Sequence, residues 1–207
     1  EKTGLDPKDI FVVSVMPCTA KKFEIGREDQ SASGYPDIDV SITTVELANM
    51  IKRAGIQFDA LPDEEFDPVF GIGTGAGHIF GATGGVMEAA LRTVYEVVTG
   101  DTSPNVDYTE VRGTEDIKEA TYDIGGMKVN VAVTSGLANA AKLLDSVKSG
   151  EKNYHFIEVM CCPGGCVNGG GQPDQPGYVR NFQDLRALRA KALYQEDEAS
   201  TFRKSHE

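Results

Sequence analysis

Four cysteines carry the most direct chemical signal in these 207 residues. Cys18 stands alone, and Cys161, Cys162 and Cys166 share one stretch, CCPGGC. A secreted disulfide framework would be denser and more evenly spread in a chain of this size. Thiols clustered in a loop of Gly and Pro, within an acidic chain, read as metal or redox ligands in a reducing compartment. Adjacent residues on an extended chain point in different directions, so Cys161 and Cys162 do not both serve one compact cluster. Three ligands remain. An iron–sulfur cubane takes four thiolates and a structural zinc takes four ligands, so the count is one short.

The rest of the composition narrows the class. Lys plus Arg total 20 against 32 for Asp plus Glu, which gives a net charge of −12 and a pI of about 4.7. That balance disfavours a nucleic-acid partner. With 25% charged and 40% apolar residues the chain is a folding one, and it is long enough to bury a core in one large domain or two small lobes. No stretch approaches the roughly 18 apolar residues of a membrane span, and the opening EKTGLDPKDI lacks the apolar run of a signal peptide. No membrane span and a cytoplasmic location are expected. The tract GIGTGAGHIFG resembles a dinucleotide loop, yet starting G-x-G-x-x-G at Gly71, Gly73 or Gly75 ends on Ala76, His78 or Phe80, and no Walker A lysine follows. Glycine there instead lets the backbone take positive φ, or pass close to another backbone or to a bulky group such as a buried inorganic cofactor.

The elements that must position these residues alternate between strand and helix. Asp9 to Val15 is an apolar β-branched run that ends in the sharp MPC turn, and AKKFEIGRED after it is helix-tolerant. VSITT leads into VELANMIKRAG, where Val45, Leu47, Ala48 and Ile51 line one helical face and Gly55 closes the end. Pro62 to Pro68 is an acidic loop, and VMEAALRTVYEVVTG is a helix that stops near Gly100. Thr102 to Tyr108 is an irregular connection. VDYTEVRG and ATYDIGGMKVNVAVT form a meander with a hairpin at Gly125-Gly126. SGLANAAKLLDSVKSG is a helix with a serine N-cap and an apolar face of Leu137, Ala141 and Leu144. YHFIEVM is a short buried strand running into CCPGGC, and from Asn181 the tail is a charged amphipathic helix. The expected fold is α/β, a mixed or largely parallel sheet flanked by helices, with cofactor loops at the carboxyl ends of strands. Three strands end in such turns, at Pro17-Cys18, Ser135-Gly136 and Cys161-Cys162. If they are neighbours, Cys18 meets Cys162 and Cys166.

Two stretches resemble a known family. Met16-Pro17-Cys18-Thr19-Ala20-Lys21-Lys22-Phe23-Glu24 is similar to the M-P-C-x-x-K-x-x-E signature of iron-only (FeFe) hydrogenases. The run from Glu158 to Pro173, EVMCCPGGCVNGGGQP, resembles their E-x-M-x-C-x-x-G-C-x-x-G-G-G-Q-P signature. IFGATGGVMEAALR and RKSHE share the likeness, which spans essentially the whole chain. The resemblance implies an oxidoreductase whose cofactor is the H-cluster, a 4Fe-4S cubane joined through a cysteine sulfur to a two-iron unit with CO, cyanide and azadithiolate ligands. It implies Cys18 and Cys162 as cubane ligands, and Cys166 as both a ligand and the bridge to the two-iron unit. Lys21 would donate a charge-assisted hydrogen bond to a cyanide. Met16, Pro17, Phe80, Gly81 and Met160 would line the pocket, whose thioether and phenyl groups keep it dry. Cys161, in a position often held by alanine, is read as packing. By their motif positions Glu24 and Glu158 would hold the cysteine loops, with Glu24 near a proton route, or equally would serve as capping and ion-pairing residues, and His78, His155 and His206 carry no signal.

The chain also departs from the family pattern. The signature T-S-C-C-P-x-W, which supplies the first cubane cysteine and a proton-relay cysteine, is not in the sequence. The whole of 1–207 is therefore expected to be the C-terminal portion of a hydrogenase catalytic domain, truncated at both ends, inactive in isolation and binding the H-cluster poorly or not at all. Its implied partners are the preceding part of the same domain, ferredoxin or nicotinamide-linked electron-transfer subunits, and H2 and protons as substrates. The alternatives are a non-catalytic iron–sulfur assembly or sensory protein of the same fold, and a zinc protein, which C-x-x-x-C with one distant Cys fits poorly.

Overall fold

In the computed structural model, which describes residues 4–65, 67 and 71–207, the chain forms two units: Glu1–Ile72 with Gly169–Gln175, and Gly73–Asn168 with Pro176–Glu207. The α/β reading holds, with the strands divided between a parallel pair and a three-stranded mixed sheet.

In the first unit, β1 (Val13–Met16) pairs in parallel with β2 (Val40–Thr43). The strand starts later than the apolar run from Asp9, because Pro7–Asp9 closes a 3-10 turn capped by the Asp6 carboxylate. Of AKKFEIGRED only one turn is helical, α1 (Lys21–Glu24). Helix α2 (Thr44–Arg53) opens on a capping box: the Thr43 hydroxyl accepts from the Glu46 N–H at 3.1 Å and the Glu46 carboxylate accepts from the Thr43 N–H at 2.8 Å. The residue following its C-cap is Gly55, at φ +71°. Leu47, Ala48 and Ile51 do not enter a core; they line an open groove with Ile56 and Phe58.

The side-chain alternation of this sheet is inverted. Ser14, Ser41 and Thr43 are buried, whereas Val13, Val15 and Val40 on the other face are 47%, 45% and 38% exposed. Every fully buried apolar side chain among the described residues belongs to the second unit. Parallel strands are stable when both faces are covered, and two strands alone are marginal. The Val13, Val15 and Val40 face thus has the composition of a buried surface.

The second unit carries the core. Strands β3 (Ile117–Ile124) and β4 (Met127–Ser135) form the expected hairpin, turning at Gly125 and Gly126 with φ +60° and +86°. β5 (Phe156–Met160) lies parallel to β4 on its other side. The sheet and α4 (Gly85–Thr99) enclose Met87, Leu91, Val111, Ile124, Val129, Val131 and Val133. α3 (Gly75–Ile79) precedes α4, and α6 (Gly177–Arg180) and α7 (Leu185–Ala199) complete the unit. VDYTEVRG is not a strand: Thr109–Val111 is a 3-10 turn. Of the acidic loop, residues 62–65 and 67 are exposed and irregular, while Phe66 and Pro68 lie outside the described residues.

Helix α5 (Leu137–Lys148) corrects two expectations. Its buried face is Ala140 and Leu143, and Leu137 and Leu144 are 71% and 52% exposed. Its N-cap is Gly136 rather than a serine. The sequence holds two apolar stripes about one residue apart, and the β4–α5–β5 crossover selects the one that faces the sheet. Ser135 instead ends β4, opposite Met160 of β5.

Beneath α4 lies a buried charged network. Arg92, Glu88 and Asp197 are all fully enclosed. Arg92 grips Asp197 through two parallel bonds of 2.8 Å and Glu88 through a third of 2.9 Å. Arg112 bonds Glu88 and Asp107, and Arg203 bonds Asp107 and Asp197. Three cations thus face three anions, and no member is stranded. The Arg203 and Arg112 guanidiniums hold the Asp107 carboxyl below its ordinary range. Burial opposes ionisation of Asp197, but Arg92 and Arg203 outweigh it and lower its pKa. Nearby, Lys204 above all, with the Ser103 N–H and His206, brings Glu96 down to about 2.

A pH dependence follows from these directions. A carboxylate whose pKa is depressed on folding contributes stability that is full above its ordinary value, 3.8 for Asp and 4.5 for Glu, and is lost as the pH falls through the folded value. Urea midpoints should therefore hold down to about pH 4.5 and decline between there and about pH 2. A midpoint unchanged at pH 2.5 would remove the network from the account of stability.

Candidate metal centre

The first cysteine turn follows β1. Met16, Pro17 and Cys18 are half-buried. The glycine run after the second cysteine motif packs against this turn: the Gly171 N–H donates to the Pro17 carbonyl at 3.1 Å, and the Gly171 carbonyl accepts from the Val45 N–H at 3.2 Å. A Cβ on Gly171 would stand 2.9 Å from the Cys18 nitrogen and 2.8 Å from Thr43 Cβ, so only glycine lets the two backbones meet. Lys21 pairs with Glu24 across one turn of α1. Its neighbour Lys22 is committed elsewhere, to the Ser41 carbonyl at 3.1 Å and Glu46 at 2.8 Å.

The other cysteines lie in the loop after β5. Met160 and Cys162 are half-buried, Cys161 is exposed, and Cys166 is exposed at the start of the 3-10 turn Cys166–Asn168. The loop folds back on itself through the Gly165 N–H to the Cys162 carbonyl at 2.9 Å. It is fastened to the 81–84 turn twice. The Thr83 N–H donates to the Gly164 carbonyl at 3.1 Å, and the Val167 N–H donates to the Gly81 carbonyl at 3.0 Å. Gly165, at φ +98°, has no room for a Cβ, which would lie 2.6 Å from Thr83 N and 2.7 Å from Gly81 O. The glycine tract thus makes close backbone-to-backbone approaches. Gly81 is part of that fastening, and the Phe80 side chain is 44% exposed.

All four cysteines are thiols rather than disulfides. Cys18 belongs to the first unit, and Cys162 and Cys166 belong to the second. β1 and β5 are in different sheets, so the idea that they are sheet neighbours is not met. Among the described residues no group of three or more His, Cys, Asp or Glu side chains converges as a metal site.

Two charged side chains stand behind the cysteine loop. Lys118, Val133 and Glu158 form one transverse row across β3, β4 and β5, and all three are buried. The Glu158 carboxylate accepts from the Gly84 and Met87 N–H groups, both at 2.7 Å, and so caps α4. Lys118 Nζ donates to the Thr83 carbonyl at 3.1 Å and the Gly113 carbonyl at 2.9 Å. Burial pushes the Glu158 carboxyl up, against the pull of those two N–H groups and of Lys118. Burial pushes the Lys118 ammonium down, against the pull of Glu158 and Glu115. Glu158 is legible within its motif, whereas Lys118 is not in either motif. Its signal is that it occupies an inward position of β3, in phase with Ala120, Tyr122 and Ile124, where an apolar residue is the norm. The three histidines take structural places: His78 is exposed on α3, His155 accepts from the Asn130 N–H at 3.0 Å, and His206 pairs with Glu96 at 2.7 Å.

Comparison with known proteins agrees with the motifs. Residues 1–170 match the model of the family described as iron only hydrogenase large subunit, C-terminal domain. The chain is 52% identical over 205 residues to iron hydrogenase 1 of Clostridium pasteurianum, covering 99% of this chain and 36% of that protein. It is 54% identical over 179 residues to the periplasmic [Fe] hydrogenase large subunit of Nitratidesulfovibrio vulgaris, covering 86% and 42%. A cytosolic Fe-S cluster assembly factor of Xenopus tropicalis is 33% identical over 178 residues, covering 83% and 37%. Among solved structures, an [FeFe]-hydrogenase HydA1 from Chlamydomonas reinhardtii in its apo form aligns with TM-score 0.74 at 40% identity, covering 100% of this chain and 58% of that one. Another, of HydA during stepwise H-cluster assembly, aligns at 0.75 and 37% identity, covering 99% and 57%. The chain thus spans 36% and 42% of the length of these two hydrogenase relatives. On the family model and on these identities, the chain belongs to the family formed by the C-terminal domains of iron-only hydrogenase large subunits.

Proposed function

We propose that these 207 residues supply three thiolates and one wall of an H-cluster site, and that the protein in which they work catalyses reversible oxidation of H2 to protons and electrons. The observation that carries this is the pair of cysteine turns at the carboxyl ends of β1 and β5. Each is held by close glycine contacts, in a chain more than half identical to an iron hydrogenase. The donor set fits the group, since thiolates are the ligands iron–sulfur clusters take. When bound, the H-cluster supplies the redox chemistry of 2H⁺ + 2e⁻ ⇌ H2.

The chain's own residues orient and shield. Cys18, Cys162 and Cys166 would hold the cluster through their thiolates. Met16 and Pro17 beside Cys18, and Phe80, Gly81 and Met160 beside the other two cysteines, would supply apolar surface that limits water. Lys21, which pairs with Glu24, would offer its ammonium to anionic ligands of the bound cluster. The exposed Val13, Val15 and Val40 face supports a further polypeptide, the preceding part of the catalytic domain, as the cover of the first unit. Electrons would pass to ferredoxin or to nicotinamide-linked subunits. No helix among the described residues is long and apolar enough to cross a membrane, and we place the working protein in the cytoplasm, although one relative is named periplasmic. The assembly-factor reading is supported less, by an identity of 33% against 52%.

Anaerobic reconstitution with ferrous iron and sulfide tests the ligand set. The 207-residue chain is expected to hold clearly fewer than four irons and give little cubane EPR signal. A version extended upstream through a T-S-C-C-P signature is expected to hold four. A stable cubane on the short chain that disappears in Cys161→Ser would make Cys161 the fourth ligand and overturn the assignment.

A further inference from the structure

The Thr83–Gly84 peptide is held at both ends by buried charges. Its carbonyl oxygen accepts from Lys118 Nζ at 3.1 Å, and its N–H donates to the Glu158 carboxylate at 2.7 Å. A peptide dipole is negative at oxygen and positive at N–H, so a cation at the first and an anion at the second both favour the one orientation. Lys118 and Glu158 reach this peptide from β3 and β5, two strands apart on one row of the sheet. On its far side the same turn carries the cysteine loop, through the Thr83 N–H to the Gly164 carbonyl and the Val167 N–H to the Gly81 carbonyl. Gly164 lies within the Cys162–Cys166 span and Val167 directly follows it. Gly165 leaves no slack in the stack, because its backbone rests directly on Thr83 and Gly81.

We propose that Lys118 and Glu158 are a positioning pair, a clamp on the Thr83–Gly84 peptide that sets where Cys162 and Cys166 stand. This assignment rests on the reading of those two cysteines as ligands under the proposed function, but its geometry does not. A carboxylate that only capped α4 would need no cation on the preceding carbonyl and would have no effect on the thiols. Under the clamp, removing either charge frees the turn and lets the cysteine loop move with it.

The test uses the metal-free, reduced 207-residue chain, with iodoacetamide as the probe of each thiol and amide hydrogen exchange as the probe of the turn. In Glu158→Ala the Gly84 and Met87 amides should exchange about tenfold faster or more. Alkylation of Cys162 and Cys166 should change by about threefold or more, while Cys18 and amides within α5 keep their rates. Lys118→Met should produce the same change at the two cysteines. Glu158→Gln, which keeps one acceptor oxygen, should restore most of the wild-type pattern. Faster exchange at Gly84 and Met87 with unchanged thiol rates in both charge-removing variants would reduce Glu158 to a helix cap and overturn the clamp. Should Glu158→Ala fail to fold, Lys118→Met and Glu158→Gln decide by the same two readings. Because no iron is present, the outcome is independent of whether the cysteines hold an H-cluster, which the reconstitution experiment decides separately.

Discussion

Asp197→Ala is expected to destabilise the second unit by about 3–5 kcal/mol, the usual cost of removing one partner from a buried ion pair. Asp197 is fully enclosed, and its two oxygens take both parallel bonds from Arg92 and one from Arg203. Without it, Arg92 keeps its charge, because a guanidinium does not deprotonate in a protein. It also keeps Glu88 at 2.9 Å, which is shared with Arg112 at 2.6 Å, so two cations then compete for one carboxylate. The loss should appear as a fall in melting temperature of roughly 10 °C or more. Asp197→Asn should lose less, since the amide oxygen still accepts from Arg92 while the charge imbalance remains. If Asp197→Ala melts within about 1 kcal/mol of wild type, water reaches Arg92 and the network is not the closed structure described above. The argument concerns the cost of breaking the network. Well-packed apolar replacements for all its members could be as stable.

Gly84→Ala should cost about 3 kcal/mol or more, and here the cause is steric. Gly84 is the N-cap of α4 at φ +96°, in the left-handed region where a side chain is strained. A Cβ would overlap the Val111 carbonyl oxygen, a backbone atom that cannot swing aside as a side chain does. Strain of about 1–3 kcal/mol adds to overpacking of similar size. Gly100→Ala provides the control, because Gly100 also has positive φ, +74°, yet nothing lies within 4 Å of its Cβ position. It should lose only about 1–2 kcal/mol. Equal losses in the two variants, measured by urea unfolding, would show that the Val111 turn yields and that close approach is not what the position requires. A second reading comes from the cysteine loop. Gly84 belongs to the peptide held by Lys118 and Glu158, so the alanine should also alter alkylation of Cys162 and Cys166.

The family was legible in the sequence because its motifs set particular residue types at short spacings. Cys18 after Met16-Pro17, and Cys162 and Cys166 around Pro163-Gly164-Gly165, make motifs that mark the family wherever their strands come to lie. Local elements were legible for the same reason. The capping of α2, the turn at Gly125-Gly126 and the stop of α4 at Gly100 each depend on a few adjacent residues and their preferred φ. Tertiary structure alone decided what depends on distant partners. It divided the strands between two sheets, turned Val13 and Val15 outward while burying Ser14, and chose Ala140 and Leu143 over Leu137 and Leu144 as the inner face of α5. Alternation and helical period define a face, but which face is covered depends on what packs there. The charged positions show this most clearly. Lys118 reads in the sequence as one lysine in a strand, and Glu158 as one motif residue. Their shared hold on the Thr83–Gly84 peptide joins residues 35 and 74 positions apart in sequence, a pairing that only the folded sheet creates.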